Sequence, residues 1–285
     1  MHRRMPRLAF YPLVACLPVL GMLLAFSSPA GASAVSHASP RARALAAAIA
    51  QLRQLKVGEH STNHAVGHGV KIRGLTQVQS TNWSGYADDN TAGNTYSTVT
   101  GNWSQPAVTC PRHGTQYAVF WVGIDGFTSG TVEQDGTLAE CNHGAAAYFT
   151  WWEMFPANSI QAVGSSVSPG DSISSSVVRS GTGYTLKVTD STHPANSFST
   201  TQSCSNCANS SAEWIAEAPS SGNKILPLAN FGAWTETGAT VNSGVITSFP
   251  DDELTMVNNS GAVKAQPGPL NASGNEFTVT WKRST

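Results

Sequence analysis

Charge is scarce in this 285-residue chain: Asp, Glu, Lys and Arg make up 12% of it, about half the usual share. With Gly, Ser, Thr and Asn abundant, that scarcity suits an extracellular β protein. Beyond the N-terminus no stretch is apolar enough to span a bilayer, so no stable membrane association is expected there. No long helical pattern follows Leu55, and no G-x-S-x-G stands between a strand and a helix, which argues against a nucleophile elbow. Histidine is sparse in the C-terminal three-quarters: only His113, His143 and His193 occur, all in loop-like surroundings, so a serine-type triad has little to draw on. No βαβ pattern surrounds Cys204-x-x-Cys207 and no second CxxC or nearby His completes a metal shell, which weighs against a redox motif or half a zinc site, and no metal or cofactor is expected.

What is present divides the chain into three. Arg3, Arg4 and Arg7 precede an apolar run from Leu8 to Phe26 and an A-x-A site at Ala32-Ser33-Ala34. That order predicts an export signal over 1–34, and a secreted protein. Pro12 and Pro18 interrupt the run, which weighs against a retained anchor. Residues 35–76 hold an Ala-rich, helix-favouring stretch, Arg41 to Leu55, then a linker with His and Gly. This segment reads as a propeptide. Its basic residues Arg41, Arg43, Arg53, Lys56, Lys71 and Arg73 face only Glu59, whereas from Gln77 onward seven basic residues face sixteen acidic ones. A basic propeptide could therefore cover an acidic cleft in its own chain. The same acidity makes nucleic acid an improbable partner. Residues 77–285 suffice for one domain, expected to be monomeric.

Cys16 falls in the signal, which leaves Cys110, Cys141, Cys204 and Cys207 for an oxidising compartment. Four cysteines allow three connectivities. Spacing favours Cys110 with Cys141 and Cys204 with Cys207, the second closing a tight loop. His60, His64 and His68 recur every four residues, but Gly67 and Gly69 weaken any helix there, and the trio lies in the segment expected to be removed.

Short runs of β-branched and aromatic residues between Gly, Pro, Asn and Asp predict an all-β sandwich. Strands are expected over Tyr96–Trp103, Tyr117–Ile124, Ala146–Phe155, Ser172–Arg179, Tyr184–Thr189, Ala212–Ala218, Ala239–Ser248 and Phe277–Lys282. Residues two apart share a face. Glu213, Ile215 and Glu217 therefore lie together, as do Trp151, Glu153 and Phe155, and Val132 and Gln134. Carboxylates set among large apolar residues on β surfaces must shift their pKa or find partners.

Several segments resemble the glutamic peptidases, the eqolisin family: Asn82-Trp83-Ser84-Gly85, Trp121-Val122-Gly123-Ile124-Asp125-Gly126, Gln134-Asp135-Gly136, Trp151-Trp152-Glu153, and Ala212-Glu213-Trp214-Ile215-Ala216-Glu217. The resemblance runs from about Ser80 to the C-terminus. It implies a sandwich of two large antiparallel sheets with a polypeptide substrate crossing the concave face. It also implies Gln134 and Glu217 as the catalytic pair, Trp83 and Trp121 as cleft aromatics, and Asp125, Glu153 and Glu213 as supporting acids.

Peptide hydrolysis by such a pair needs no metal. An ionised Glu217 takes a proton from water and later gives it to the departing nitrogen, while the Gln134 amide holds the water and the oxyanion. Acids crowded around Glu217 cannot all ionise cheaply, which favours operation at acid pH. The competing expectation is a secreted carbohydrate-binding sandwich or glycosidase, with Trp83, Trp103, Trp121, Trp151, Trp152, Trp214 and Trp234 stacking on sugars.

Overall fold

The computed structural model describes residues 40–59, 70–72 and 75–285; the signal expected over 1–34 and the His60, His64, His68 trio lie outside them. Pro40–Leu52 forms the helix α1. Alanine gives it high propensity, and proline opens it where a missing N–H costs nothing. Leu45, Ala48, Ile49 and Leu52 recur at helical spacing, and all four join an apolar cluster on the sheet beneath.

Strands follow in quick succession. β1 (Val70–Ile72) and β2 (Leu75–Ser80) precede β3 (Trp83–Asp89) and β4 (Thr98–Ser104). Three long strands come next, β5 (Thr115–Ile124), β6 (Val132–Asn142) and β7 (Ala145–Phe155), with the short β8 (Gln161–Ala162) at their edge. β9 (Ser172–Ser180), β10 (Gly183–Asp190) and β11 (Phe198–Ser203) form a meander. β12 (Ser211–Glu217) returns to the long strands, and β13 (Ser220–Ser221) pairs with β14 (Lys224–Ile225) in a separate hairpin. The chain closes with β15 (Ala233–Val241), β16 (Asp251–Val257), β17 (Val263–Pro267) and β18 (Phe277–Trp281).

The pairing order is β11-β10-β9-β4-β15-β18-β17-β16-β3-β12-β5-β6-β7-β8. All of these neighbours are antiparallel, and β2 adds a parallel pairing to β16. The all-β sandwich is present, but its two layers belong to one ladder. β15 pairs through Ala233–Glu236 with β18 and through Thr237–Val241 with β4, with a register shift between Thr237 and Thr240, so it passes from one layer to the other. Side chains from both layers, among them Phe120, Val122, Val177, Leu186, Trp214 and Trp234, fill one cluster between them.

Alternation sorts β5 residue by residue. Ala118, Phe120, Val122 and Ile124 enter the inter-layer cluster, while Tyr117, Val119 and Trp121 enter a second cluster on the opposite face. The second cluster is roofed by α1 and the residues after it, since Leu52, Leu55 and Val57 are buried within it. β3, β6 and β16 were not among the expected strands, and a further difference lies near the C-terminus. Instead of a strand over Ala239–Ser248, β15 ends at Val241, Asn242 turns the chain with φ 49°, and Ile246–Ser248 is a 3-10 turn. Thr76, where the composition changes, lies inside β2 opposite Asp252.

Disulfides join Cys110 to Cys141 and Cys204 to Cys207. Among the described residues no helix is long and apolar enough to cross a membrane.

Candidate active site

Four neighbouring strands, β12, β5, β6 and β7, set side chains in rows. Glu213, Gly123, Gln134 and Glu153 are in register across them; two residues along come Ile215, Trp121, Gly136 and Trp151, and then Glu217, Val119, Leu138 and Phe149. Steps of two keep all three rows on one face, and β3 adds Trp83 beside Glu217. Trp121 thus stands in the row between Gln134 and Glu217. Its Nε1–H donates to Glu217 Oε2 at 2.9 Å, and its ring meets Trp83 edge-on with centroids 5.0 Å apart. Gly123 protects that placement: a Cβ there would lie 2.8 Å from the Trp121 ring and 3.3 Å from Gln134 Cβ.

Residues 57–59 supply further contacts. Gln134 Nε2 donates to Val57 O at 2.8 Å and to Glu153 Oε2 at 3.1 Å. Gly58 N–H donates to Glu217, at 2.9 Å from Oε2 and 3.2 Å from Oε1. Asn82 Nδ2 donates to Glu59 O at 2.9 Å and lies 3.5 Å from Glu217 Oε1, a marginal contact. Gln134 Oε1 makes no hydrogen bond among the described residues, leaving an acceptor in the site.

Burial governs the charges. Desolvation pushes the Glu217 carboxyl up to about 8, against the opposing pull of hydrogen bonds from Gly58, Trp121, Asn82 and Trp83. Glu153 is held well above the carboxylate range, first by burial and next by the charge of Glu217, with hydrogen bonding from Val57 and Gln134 working the other way. A carboxyl kept neutral there accepts the Gln134 amide without placing a negative charge beside Glu217.

The expected supporting acids separate into different jobs. Glu153 joins the pair. Glu213 lies in the Gln134 row on the far side of Gly123, wholly buried and raised well above its ordinary range by burial, with Asp125 and Glu133 adding to it. Asp125 faces elsewhere: its carboxylate accepts Asn209 N and Ser210 N, both at 2.7 Å, and Ser210 Oγ at 3.0 Å. It pins the end of β5, where its own φ is 71°, to the entry of β12. Of the tryptophans considered for sugar stacking, Trp103, Trp214 and Trp234 fill the core between the layers, Trp83, Trp121 and Trp151 lie beneath α1 and the residues after it, and Trp152 is half-buried.

Sequence reasoning did not single out three features. Asn82 was visible only as part of Asn82-Trp83-Ser84-Gly85. The hold on residues 56–59 runs largely through backbone groups, which leave no signature in side-chain pattern. Tyr117 accepts from Gln51 Nε2 at 2.7 Å and donates to Glu140 Oε1 at 3.3 Å, tying α1 to β5 and β6.

The sequence pattern of the Peptidase A4 family matches residues 81–281. Aspergillopepsin-2 of Aspergillus niger is 30% identical over 237 residues, which cover 74% of this chain and 82% of that protein. The crystal structure of scytalido-glutamic peptidase with a peptide-based transition state analogue shares the fold at TM-score 0.56 and 23% identity, over 71% of this chain and 98% of that one. SCP-B, an eqolisin solved with the tripeptide Ala-Ile-His, does so at TM-score 0.55 and 22% identity, with the same coverage. The class so defined is a glutamic endopeptidase, whose substrates are polypeptides. This chain belongs to the Peptidase A4 family.

Proposed function

We propose that the chain is the proform of a secreted, acid-acting endopeptidase in which Glu217 and Gln134 drive direct attack of water on the peptide carbonyl. The observation that carries this reading is the convergence of the two side chains on one peptide group: an amide N–H of Gln134 meets its oxygen and the Glu217 carboxylate meets its nitrogen. Those are the two atoms whose charge and protonation change during amide hydrolysis. Glu217 takes the proton of the attacking water as base and returns it to nitrogen as acid. Gln134 Nε2 stabilises the oxyanion, while its Oε1 can accept from the water.

Glu153 must stay neutral to let Glu217 ionise, and burial beneath residues 56–59 opposes that ionisation, pushing the Glu217 carboxyl up to about 8, so turnover at acid pH is fastest once the cover has left and water enters the site. Residues 35–76 act as the covering propeptide, and the domain works as a monomer after export. The cover is held by apolar side chains and backbone hydrogen bonds; the ion pair of Lys56 is with Glu59 of its own segment, at 3.2 Å.

Kinetics on an unfolded protein at acid pH test the assignment. Glu217→Gln should abolish turnover, Gln134→Ala should lose at least about 10²-fold in kcat, and the double variant should be no worse than Glu217→Gln alone. Near-native turnover by folded Glu217→Gln would sink the mechanism.

A further inference from the structure

Residues 56–59 are gripped as a strand is gripped by a sheet edge. Lys56 forms an antiparallel bridge with Ser220, Lys56 N donating to Ser220 O at 2.8 Å and Ser220 N to Lys56 O at 3.0 Å. The next carbonyl, Val57 O, rests on Gln134, the next N–H, of Gly58, on Glu217, and the carbonyl of Glu59 on Asn82. Leu55 and Val57 are sunk in the apolar cluster that contains Trp83, Trp121 and Trp151. Backbone pairing with alternate side chains in apolar surroundings is how sheets recognise extended peptides.

Position within this grip singles out one bond. Its oxygen lies on the oxyanion donor and its nitrogen on the acid that must protonate the leaving amine. We propose that Val57–Gly58 is a self-processing site, the first bond that the enzyme cuts, and that it is cut within the same molecule. The proposal rests on the Glu217 and Gln134 reading above.

The step balances with water as the only co-reactant. Water adds to the Val57 carbonyl carbon and gives a proton to Glu217, and negative charge gathers on the oxygen already hydrogen-bonded to Gln134. As the C–N bond breaks, Glu217 passes its proton to the Gly58 nitrogen. Val57 ends in a carboxyl group, which keeps the second proton of the water, and Gly58 begins a new chain with a free amine.

Gly58 also fixes the register. It has a φ of 77°, which disfavours other residues, and any Cβ there would collide with the Gln134 side chain. Sliding the segment by one residue would bring Val57 or Glu59 to that place, each with a Cβ, so the cut is confined to this bond. Residues downstream of it include β2, which stays in the sheet through β16.

The test uses the full chain incubated at a series of pH values from acid to neutral, followed by intact mass and N-terminal sequencing over time. The expected first products are a fragment ending at Val57 and a chain beginning at Gly58, formed at a rate independent of protein concentration. Full-length Gly58→Ala should lose that product at least tenfold while its far-UV spectrum stays native. A first cut elsewhere, such as near Thr76, a rate that scales with concentration, or an unaffected Gly58→Ala would each overturn the proposal. Activity on an added unfolded substrate separates the two ideas. If wild type digests it, Glu217→Gln does not, and Gly58 never appears as an N-terminus, only the self-processing site fails. If Glu217→Gln digests it, the catalytic reading fails first.

Discussion

Trp121 Nε1 and Glu217 Oε2 lie 2.9 Å apart, a hydrogen bond from an indole wedged between the two residues that meet the covering peptide group. The contact favours the ionised form of Glu217 against the burial that opposes it.

Trp121→Phe should therefore raise the pKa of Glu217 and move the acid limb of the kcat/KM profile to higher pH. Losing a hydrogen bond to a charged group costs about 1.5–3 kcal/mol, so activity at the optimum should fall roughly tenfold or more. A pH profile on folded variant decides it; an unmoved limb would mean that the indole only fills space.

Thermal stability should be greatest at acid pH and decline as pH rises. Asp88 and Glu133 are pushed up to about 9 and Asp252 to about 7, in each case first by burial. The folded-state values lie above those of the unfolded chain, near 4. Their stabilisation is complete below the unfolded pKa and is lost as pH rises through the window up to about 9. Asp88 is fully buried, and neither carboxyl oxygen makes a hydrogen bond among the described residues. Asp88→Asn should flatten the decline; a Tm measured from pH 4 to 9 that rises toward alkali would contradict this account.

The two disulfides should contribute unequally. Cys110–Cys141 spans a sequence separation of 31 and Cys204–Cys207 one of 3. Loop-closure entropy gives roughly 4 kcal/mol for the first and roughly 2 kcal/mol for the second. Paired serine substitutions followed by urea unfolding measure both, and a larger loss at Cys204–Cys207 would show that chain entropy is not the controlling quantity.

Leu55 anchors the cover beside the gripped peptide and is 3% exposed. Replacing such a buried leucine by alanine costs about 2–5 kcal/mol. Full-length Leu55→Ala should expose the cleft and gain activity sooner after an acid shift than wild type. An unchanged lag would show that the apolar anchor does not control access.

Much of the fold was legible where one chemical rule dominated. The strands β5, β7, β9, β10 and β12 carry β-branched or aromatic residues in alternation, and the expected spans match them to within a few residues. β3 and the strand over Asp251–Val257 were hidden because Asp88, Asp89, Asp251 and Asp252 read as turn residues, yet sit in ladder pairs. The cluster of Gln134, Glu217, Trp83, Trp121 and Glu153 came from motifs that a family resemblance supplied, and cross-strand register places them on one face. Asp125 shows the limit of that route: nothing in its motif tells that a left-handed turn aims its carboxylate at the amides of Asn209 and Ser210. Gly58 was equally silent, since its importance lies in a Cβ it does not have.

The buried carboxyls also change what the folded protein is as an electrolyte. A formal charge of -1 counts all seventeen acidic residues as ionised. Asp88, Glu133 and Glu217, with folded values of about 9, 9 and 8, hold protons at neutrality that the unfolded chain has already shed. The native molecule must then migrate in an electric field as a more basic species than its sequence formula describes. Its isoelectric point drops when it unfolds, so native and denatured focusing gels would resolve one polypeptide into two bands.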